Sequence, residues 1–494
     1  RSFFNGWGMQ YDKGEVPFYM YQFFKKSLEE NTDYYSLSNT NSRSAAFFAN
    51  ATYSYKQRYV INGTYRYEGS NALGRSRSAR WTPTWNVAGS WNVDQEKFFE
   101  AWMPTISHLK LKASYSLTAT PPPSSYTSST NVYKAYNPWR LLTGDKETGI
   151  QLDQLENDQL TYEKKHEFNF GFEAGFLNDR INVSFDIYSR KNFDEIGPVT
   201  TQGIGGEVIR WANAADMKAS GQELSISTTN IKNKDFSWNT SFIFSHSKTE
   251  ITNLESQDRA IDLITNMGGR RKGYPVRSLF SIQFKGLDEN GLPTVLNEKG
   301  EVTSDDINFQ ERENLDFLKY EGPTDPTVMG SLGNLFKYKG FTLNVFMTYS
   351  FGNVVRLDPV FAAQYSDLSS MTKEYKNRWE HAGDENITNV PVILSKYQYE
   401  NNKYLRYGYN AYNYSDVRIA KGDFIRMKEI SLGYDFPKAW IHPLNNLSLK
   451  LQATNLFLIY ADKKLNGQDP EFFRSGGVSA PVPRQFTLTV KVGL

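Results

Sequence analysis

Cysteine is absent from all 494 residues, which excludes a disulfide framework, a thiolate metal site and a cysteine nucleophile together. Excess charge is absent too. The 56 Lys and Arg against 54 Asp and Glu leave a net charge of +2, and the basic residues are scattered singly rather than gathered into a stripe, so nucleic-acid binding is set aside. No run of about 18 apolar residues occurs, which excludes a transmembrane helix. The five histidines, His108, His166, His246, His381 and His442, stand apart. They offer neither paired metal-ligand spacing nor an HExxH pattern, so no metal is expected. The opening RSFFNGWGMQ has neither an initiator Met nor a charged-then-apolar export segment, and so reads as a mature or truncated chain.

What the chain has is alternation. Phe486, Leu488, Val490, Val492 and Leu494 fall on one face while Thr487, Thr489, Lys491 and Gly493 fall on the other, because side chains of a strand repeat every two residues. The same pattern runs through Phe168 to Phe176, Phe341 to Tyr349, and Leu447 to Ala453. These runs match the roughly 9 to 11 tilted residues that cross a bilayer and exceed the roughly 5 to 6 of an ordinary globular strand. The mean hydropathy of −0.58 does not oppose a membrane reading, since a barrel needs only every second residue apolar and carries long polar loops. Aromatic residues make up 15%, with 31 Tyr and 33 Phe, as interfacial girdles require.

The pattern predicts an all-β, transmembrane antiparallel β-barrel. Spanning strands are expected near residues 45–55, 58–68, 82–92, 107–119, 163–176, 181–193, 216–231, 236–250, 329–339, 341–352, 423–436, 446–458 and 483–494. At least one more is expected before residue 45, for 14–16 strands in all. The connections at Lys56 to Gln57, Leu177 to Arg180, Lys232 to Asp235 and around Gly340 are tight. Those near 120–162, 194–215, 251–328, 353–422 and 459–482 are long. Long loops therefore leave one rim and short turns the other, the sorting of outer-membrane barrels with external loops and periplasmic turns. The segment Leu279 to Gly300 preserves that parity only as a hairpin inside a long loop.

Six motifs then follow in order. They are RYVINGTYRYEGSNALG with TPTWNVAGSWNVDQEKFF, LTYEKKHEFNFGFEAGFLNDRINVSFDIYSRKN, MKASGQELSI, LGNLFKYKGFTLNVFMTYSFGN, DFIRMKEISLGYDFPKAW, and ATNLFLIY with QDPE. This succession resembles the C-terminal part of the SusC/RagA-like family of TonB-dependent outer-membrane transporters from Bacteroidetes. One departure is Glu68, ahead of Gly69 and Ser70, where the family's turn has Asp. The resemblance implies that residues 1–494 are part of one 22-stranded barrel, with a plug and a TonB-contacting segment upstream of Arg1. It implies active import of glycan oligosaccharides or oligopeptides across the outer membrane, energised by the TonB complex under a SusD-like surface lipoprotein lid. It also implies a dimer of transporter and lipoprotein pairs embedded in outer-membrane lipid. A passive porin, or a secreted β-rich protein that binds or cleaves glycans, are the alternatives that the residues leave open.

Aromatic residues in the long loops are the candidate contacts to ligand or lid. They are Trp139, Trp211 and Trp379, and the run Tyr397, Tyr399, Tyr404, Tyr407, Tyr409, Tyr412 and Tyr414, whose faces cover sugar or peptide surface at little entropic cost. Packing of the loop on itself competes with that role. Pro121 to Pro123 reads as a rigid loop start, and Gly203 to Glu207 as a loop tip rather than a phosphate cradle, since no helix follows. Asp469 and Glu471 have the residue types for glycoside hydrolysis, yet they sit in a motif read as loop bracing. No enzyme and no cofactor are expected.

Overall fold

The computed structural model describes residues 2–5, 35–38, 43–71, 73, 76–102, 105–122, 132–136, 149–157, 159–200, 209–256, 258–360, 372–472 and 482–493. Thirteen strands form one antiparallel sheet in strict chain order. They are β1 (Ser44–Tyr55), β2 (Tyr59–Ser70), β3 (Trp81–Asn92), β4 (Ile106–Thr120), β5 (Glu163–Phe176), β6 (Ile181–Thr200) and β7 (Ile209–Lys232). The series continues with β8 (Phe236–Leu254), β9 (Val328–Tyr338), β10 (Phe341–Phe351), β11 (Phe424–Asp435), β12 (Asn446–Ala461) and β13 (Gln485–Gly493). Each overlaps an expected strand, because the period-two pattern fixes which residues share a face. The sheet is open, with β1 and β13 at its edges.

Register keeps the apolar residues on one face across strands. Leu432 lies opposite Leu451, and Leu451 opposite Leu488; Phe172 lies opposite Phe185, and Phe185 opposite Leu224. Many of these large side chains are exposed, Phe486 at 71% and Leu488 at 68% among them. An apolar face open on this scale has lipid as its natural solvent. Aromatic pairs mark its short-turn border: Tyr59 stacks on Trp91 at 6.2 Å, Trp238 on Phe336 at 5.6 Å, and Phe341 meets Tyr434 at 4.4 Å. Among the described residues no helix is long and apolar enough to cross a membrane.

The tight turns hold residues in the left-handed region, Lys56 and Gln57 in one and Lys339 and Gly340 in another, the backbone that matches strand twist in two-residue hairpins. Loop sorting has exceptions. The connection of residues 71–80 on the long-loop rim is short, while residues 93–105 on the opposite rim are longer and hold two short helical turns.

Several expectations are corrected. The stretch 194–215 is mostly strand, since β6 continues to Thr200 and β7 begins at Ile209; polar residues pair as readily as apolar ones once the strands have left the bilayer. Glu68 to Ser70 end β2 rather than form a turn, and Gly69 lies opposite Trp81. The hairpin expected over Leu279 to Gly300 is present over part of that range: Phe284–Leu287 pairs antiparallel with Pro293–Leu296 across Asp288, Asn290 and Gly291, with Val302–Thr303 as a third strand, while Ser278–Ile282 pairs instead with Leu318–Pro323. Ahead of β1, Ser2–Asn5 pairs with Tyr35–Ser38, apart from the main sheet. The described residues thus hold thirteen wall strands where 14–16 were expected.

Candidate functional site on the external loops

The long connections fold into a lobe above the rim, with cores of their own. Ala260, Leu263 and Ile264 pack with Phe280, Ile282, Val295, Phe317, Leu318 and Ala411, and Tyr409 and Tyr412 pack with Val360 and Val390. These residues come from connections that the chain separates with β9 and β10, so burial of apolar surface ties distant loops into one body. The helix Leu405–Asn413 supplies Tyr409 and Tyr412 from one face to the second cluster and Ala411 from another face to the first.

Three buried arginines lock this lobe. Arg356 donates to the carbonyls of Ser415 at 3.1 Å and Phe280 at 2.7 Å, and burial pulls its guanidinium down to about 9, which leaves it charged at neutral pH. Arg418 donates to the Asp358 carbonyl at 2.6 Å and pairs with Glu374. Arg426 on β11 pairs with Asp469 and, at 3.1 Å, with Glu471. The two acids hold a strand arginine to a loop, which is bracing.

This packing sorts the candidate aromatics. Tyr409 and Tyr412 are 2% exposed, and the Tyr409 hydroxyl donates to the Val392 carbonyl at 2.5 Å. Both belong to the lobe core, where the apolar seam of a short helix places them, and neither offers a face to ligand. Tyr407 and Tyr414 are half-buried against the neighbouring cluster. Tyr399 is half-buried, while Tyr397 and Tyr404 are exposed at 75% and 66%. Trp379 is half-buried, its ring nitrogen donating to Glu385 at 3.0 Å, and its ring covers Gly291 so closely that no side chain fits there. Trp211 lies within β7 opposite Pro198. Trp139, Pro123 and Gly203 to Glu207 lie outside the described residues.

Between the tips of β6 and β7 and the lobe lies a cleft of about 630 Å³, lined by Asp258, Arg259, Asp262, Arg270, Arg277 and Arg312 among others. Arg259 grips Asp262 through two hydrogen bonds at 2.8 and 2.9 Å, and this holds the Asp262 carboxyl below its usual range. Arg270 pairs with Asp258 at 3.5 Å. Arg277 donates to Asp325, which raises its own affinity for the proton. The charged lining residues are four arginines against two aspartates, which suits a charged ligand. Nothing in the spacing of these residues marks them in the sequence, where arginines in polar loops look merely solvated. Among the described residues no three His, Asp or Glu gather to hold a metal.

No family model matches the chain. It is 26% identical over 442 residues to the TonB-dependent receptor P3 of Formosa agariphila, covering 86% of this chain and 41% of the relative. It is 27% identical over 486 residues to the TonB-dependent receptor SusC of Bacteroides thetaiotaomicron, covering 94% and 45%. The fold matches the solved structure of the RagAB peptide transporter with a TM-score of 0.72 at 22% identity, over 91% of this chain and 48% of that one. The open-open state of the RagAB peptide importer matches with a TM-score of 0.73 at 20% identity, over 94% and 48%. The chain spans about half the length of the relatives it matches. With its lipid-suited sheet, long connections and this kinship along most of its length, the chain is an outer-membrane β-barrel chain similar to the SusC/RagA-like TonB-dependent receptors.

Proposed function

We propose that the protein imports oligomeric nutrients, glycan or peptide, across the outer membrane, with a SusD-like lipoprotein as lid and the TonB complex as energy source. The observation that carries this reading is the cleft of about 630 Å³ at the long-loop tips of β6 and β7. Its four arginines and two aspartates favour a charged oligomer, such as a peptide, over a neutral glycan. Tyr397, Tyr404 and Ile387 are exposed on the lobe, and aromatic and aliphatic side chains of this kind suit contact with a lid. Trp139 and Trp211 remain candidate contacts. Energy coupling and a dimer of transporter and lid pairs rest on kinship alone.

The test is uptake of labelled oligopeptides and oligosaccharides by cells with and without the gene, with and without a protonophore. Mass spectrometry of the detergent-extracted complex accompanies it. Gene-dependent uptake abolished by the protonophore, with a lipoprotein that copurifies, is the expected result. Uptake indifferent to the protonophore would leave a passive porin.

A further inference from the structure

Among the described residues, the apolar face of the sheet ends in lysines along one sector. On β6 the lipid-facing residues run Ile181, Val183, Phe185, Ile187, then Ser189 and Lys191. On β7 they run from Leu224 through Gln222 and Ser220 to Lys218, and on β8 from Phe244 through His246 to Lys248 and Glu250. On β5 the row Phe172, Phe170, Phe168 and His166 ends at Lys164. Register gathers these ends: Lys191 lies directly opposite Lys218, His166 lies opposite Lys191, and Ser220 lies opposite Lys248. Lys164 and Lys248 are therefore diagonal neighbours of that central pair, within about 7–8 Å.

Local pairing does not account for this arrangement. Lys218 has Glu250 at 3.0 Å and Lys164 has Asp194 at 2.8 Å. Lys191 and Lys248 are exposed and have no ion pair or hydrogen bond among the described residues. Like charges opposite one another on a sheet are destabilising, so an outside anion is the natural complement. Elsewhere the long-loop border of the same face bears Trp81 on β3, Leu117 on β4, Phe351 on β10 and Tyr460 on β12. The basic sector also adjoins an aromatic stack, in which His166 lies between Tyr115 and Phe193 with centroids 5.6 and 5.5 Å away.

The height is right for a headgroup. Lys191 stands ten residues beyond Ile181, the first residue of its strand. At about 3.3 Å per residue and a tilt near 40°, that places it roughly 25 Å above the other border of the face, the height of the apolar band of an outer-membrane barrel. We propose that Lys164, Lys191, Lys218 and Lys248 form a docking site for the phosphate-bearing headgroup of an outer-leaflet glycolipid. Its acyl chains would lie along Phe168, Phe170 and Phe244, and its sugar against the His166 stack.

The test uses the detergent-extracted protein as the cell makes it, stripped of lipid and titrated by native mass spectrometry with phosphorylated lipid A, dephosphorylated lipid A and inorganic phosphate. Wild type should retain phosphorylated lipid A, and K191Q/K248Q should weaken retention by on the order of tenfold. K191R/K248R should restore it, and K450Q, on the opposite face, should leave it unchanged. Heat-modifiable mobility on gels confirms that each variant is folded. Equal retention by wild type and K191Q/K248Q, or by lipid with and without phosphates, overturns the proposal. Binding of inorganic phosphate as tight as that of the lipid also overturns it, making the patch a site for free anions.

Discussion

The Arg426 guanidinium donates to both carboxylate oxygens of Asp469, 43 residues further along the chain, and neither side chain is more than about a tenth exposed. One group belongs to the barrel wall and the other to the last long connection, so this buried pair, with Glu471 beside it at 3.1 Å, fastens the two. Removing one partner of a buried pair costs about 3–5 kcal/mol when the other charge is left without compensation; D469N should cost less than R426A, since Glu471 stays 3.1 Å from Arg426. In R426A and D469N the segment of residues 462–472 should become sensitive to protease. The barrel itself should keep its heat-modifiable mobility. Unchanged protection of that segment would show that the pair does not hold it.

The tyrosine-rich stretch should divide by burial. Tyr412→Ala empties the space against Phe284, whose ring lies 5.6 Å away, and should cost the lobe about 3–5 kcal/mol. Tyr404→Ala, at an exposed position, should stay within about 0.5 kcal/mol. Hydrogen exchange across residues 355–420 separates the two. Equal protection in both variants would place Tyr412 outside the core.

Alkali should open the lobe before the barrel. Burial pushes the Tyr412 phenol up to about 12 and that of Tyr409 higher, because the interior disfavours phenolate. A folded pKa above the unfolded value near 10 means that stability is complete below pH 10 and is lost as pH rises toward 12. Phenolate absorbance of the wild type minus that of a Y409F/Y412F variant should therefore appear together with loss of lobe protection. A difference signal that titrates near pH 10 with the lobe still protected would contradict this.

The outward face of the sheet should reject charge. Leu451 lies between Leu432 and Leu488, so Leu451→Arg should cost about 2–4 kcal/mol in bilayer unfolding, the cost expected near the midplane. Gln452→Arg, one residue on and facing the other way, should cost far less. Equal costs would mean that the face is not in lipid.

The sequence by itself determined the wall. Thirteen strands can be read because a strand with lipid on one side and water on the other must repeat its polarity every two residues, and each residue reports its own face. That β6 and β7 run past the bilayer could not be read, since above the membrane the pattern loses its cause while the hydrogen bonds continue. The lobe was hidden for a related reason. Ala260 and Ala411 share a core, but nothing periodic links loops so far apart, so Tyr409 and Tyr412 looked the same as exposed Tyr397 and Tyr404. The cleft arginines and the four lysines of β5 to β8 are scattered in sequence and meet only when strand register sets them side by side. Local polarity is written residue by residue, while proximity between distant residues is decided by register and packing, which only the tertiary structure supplies.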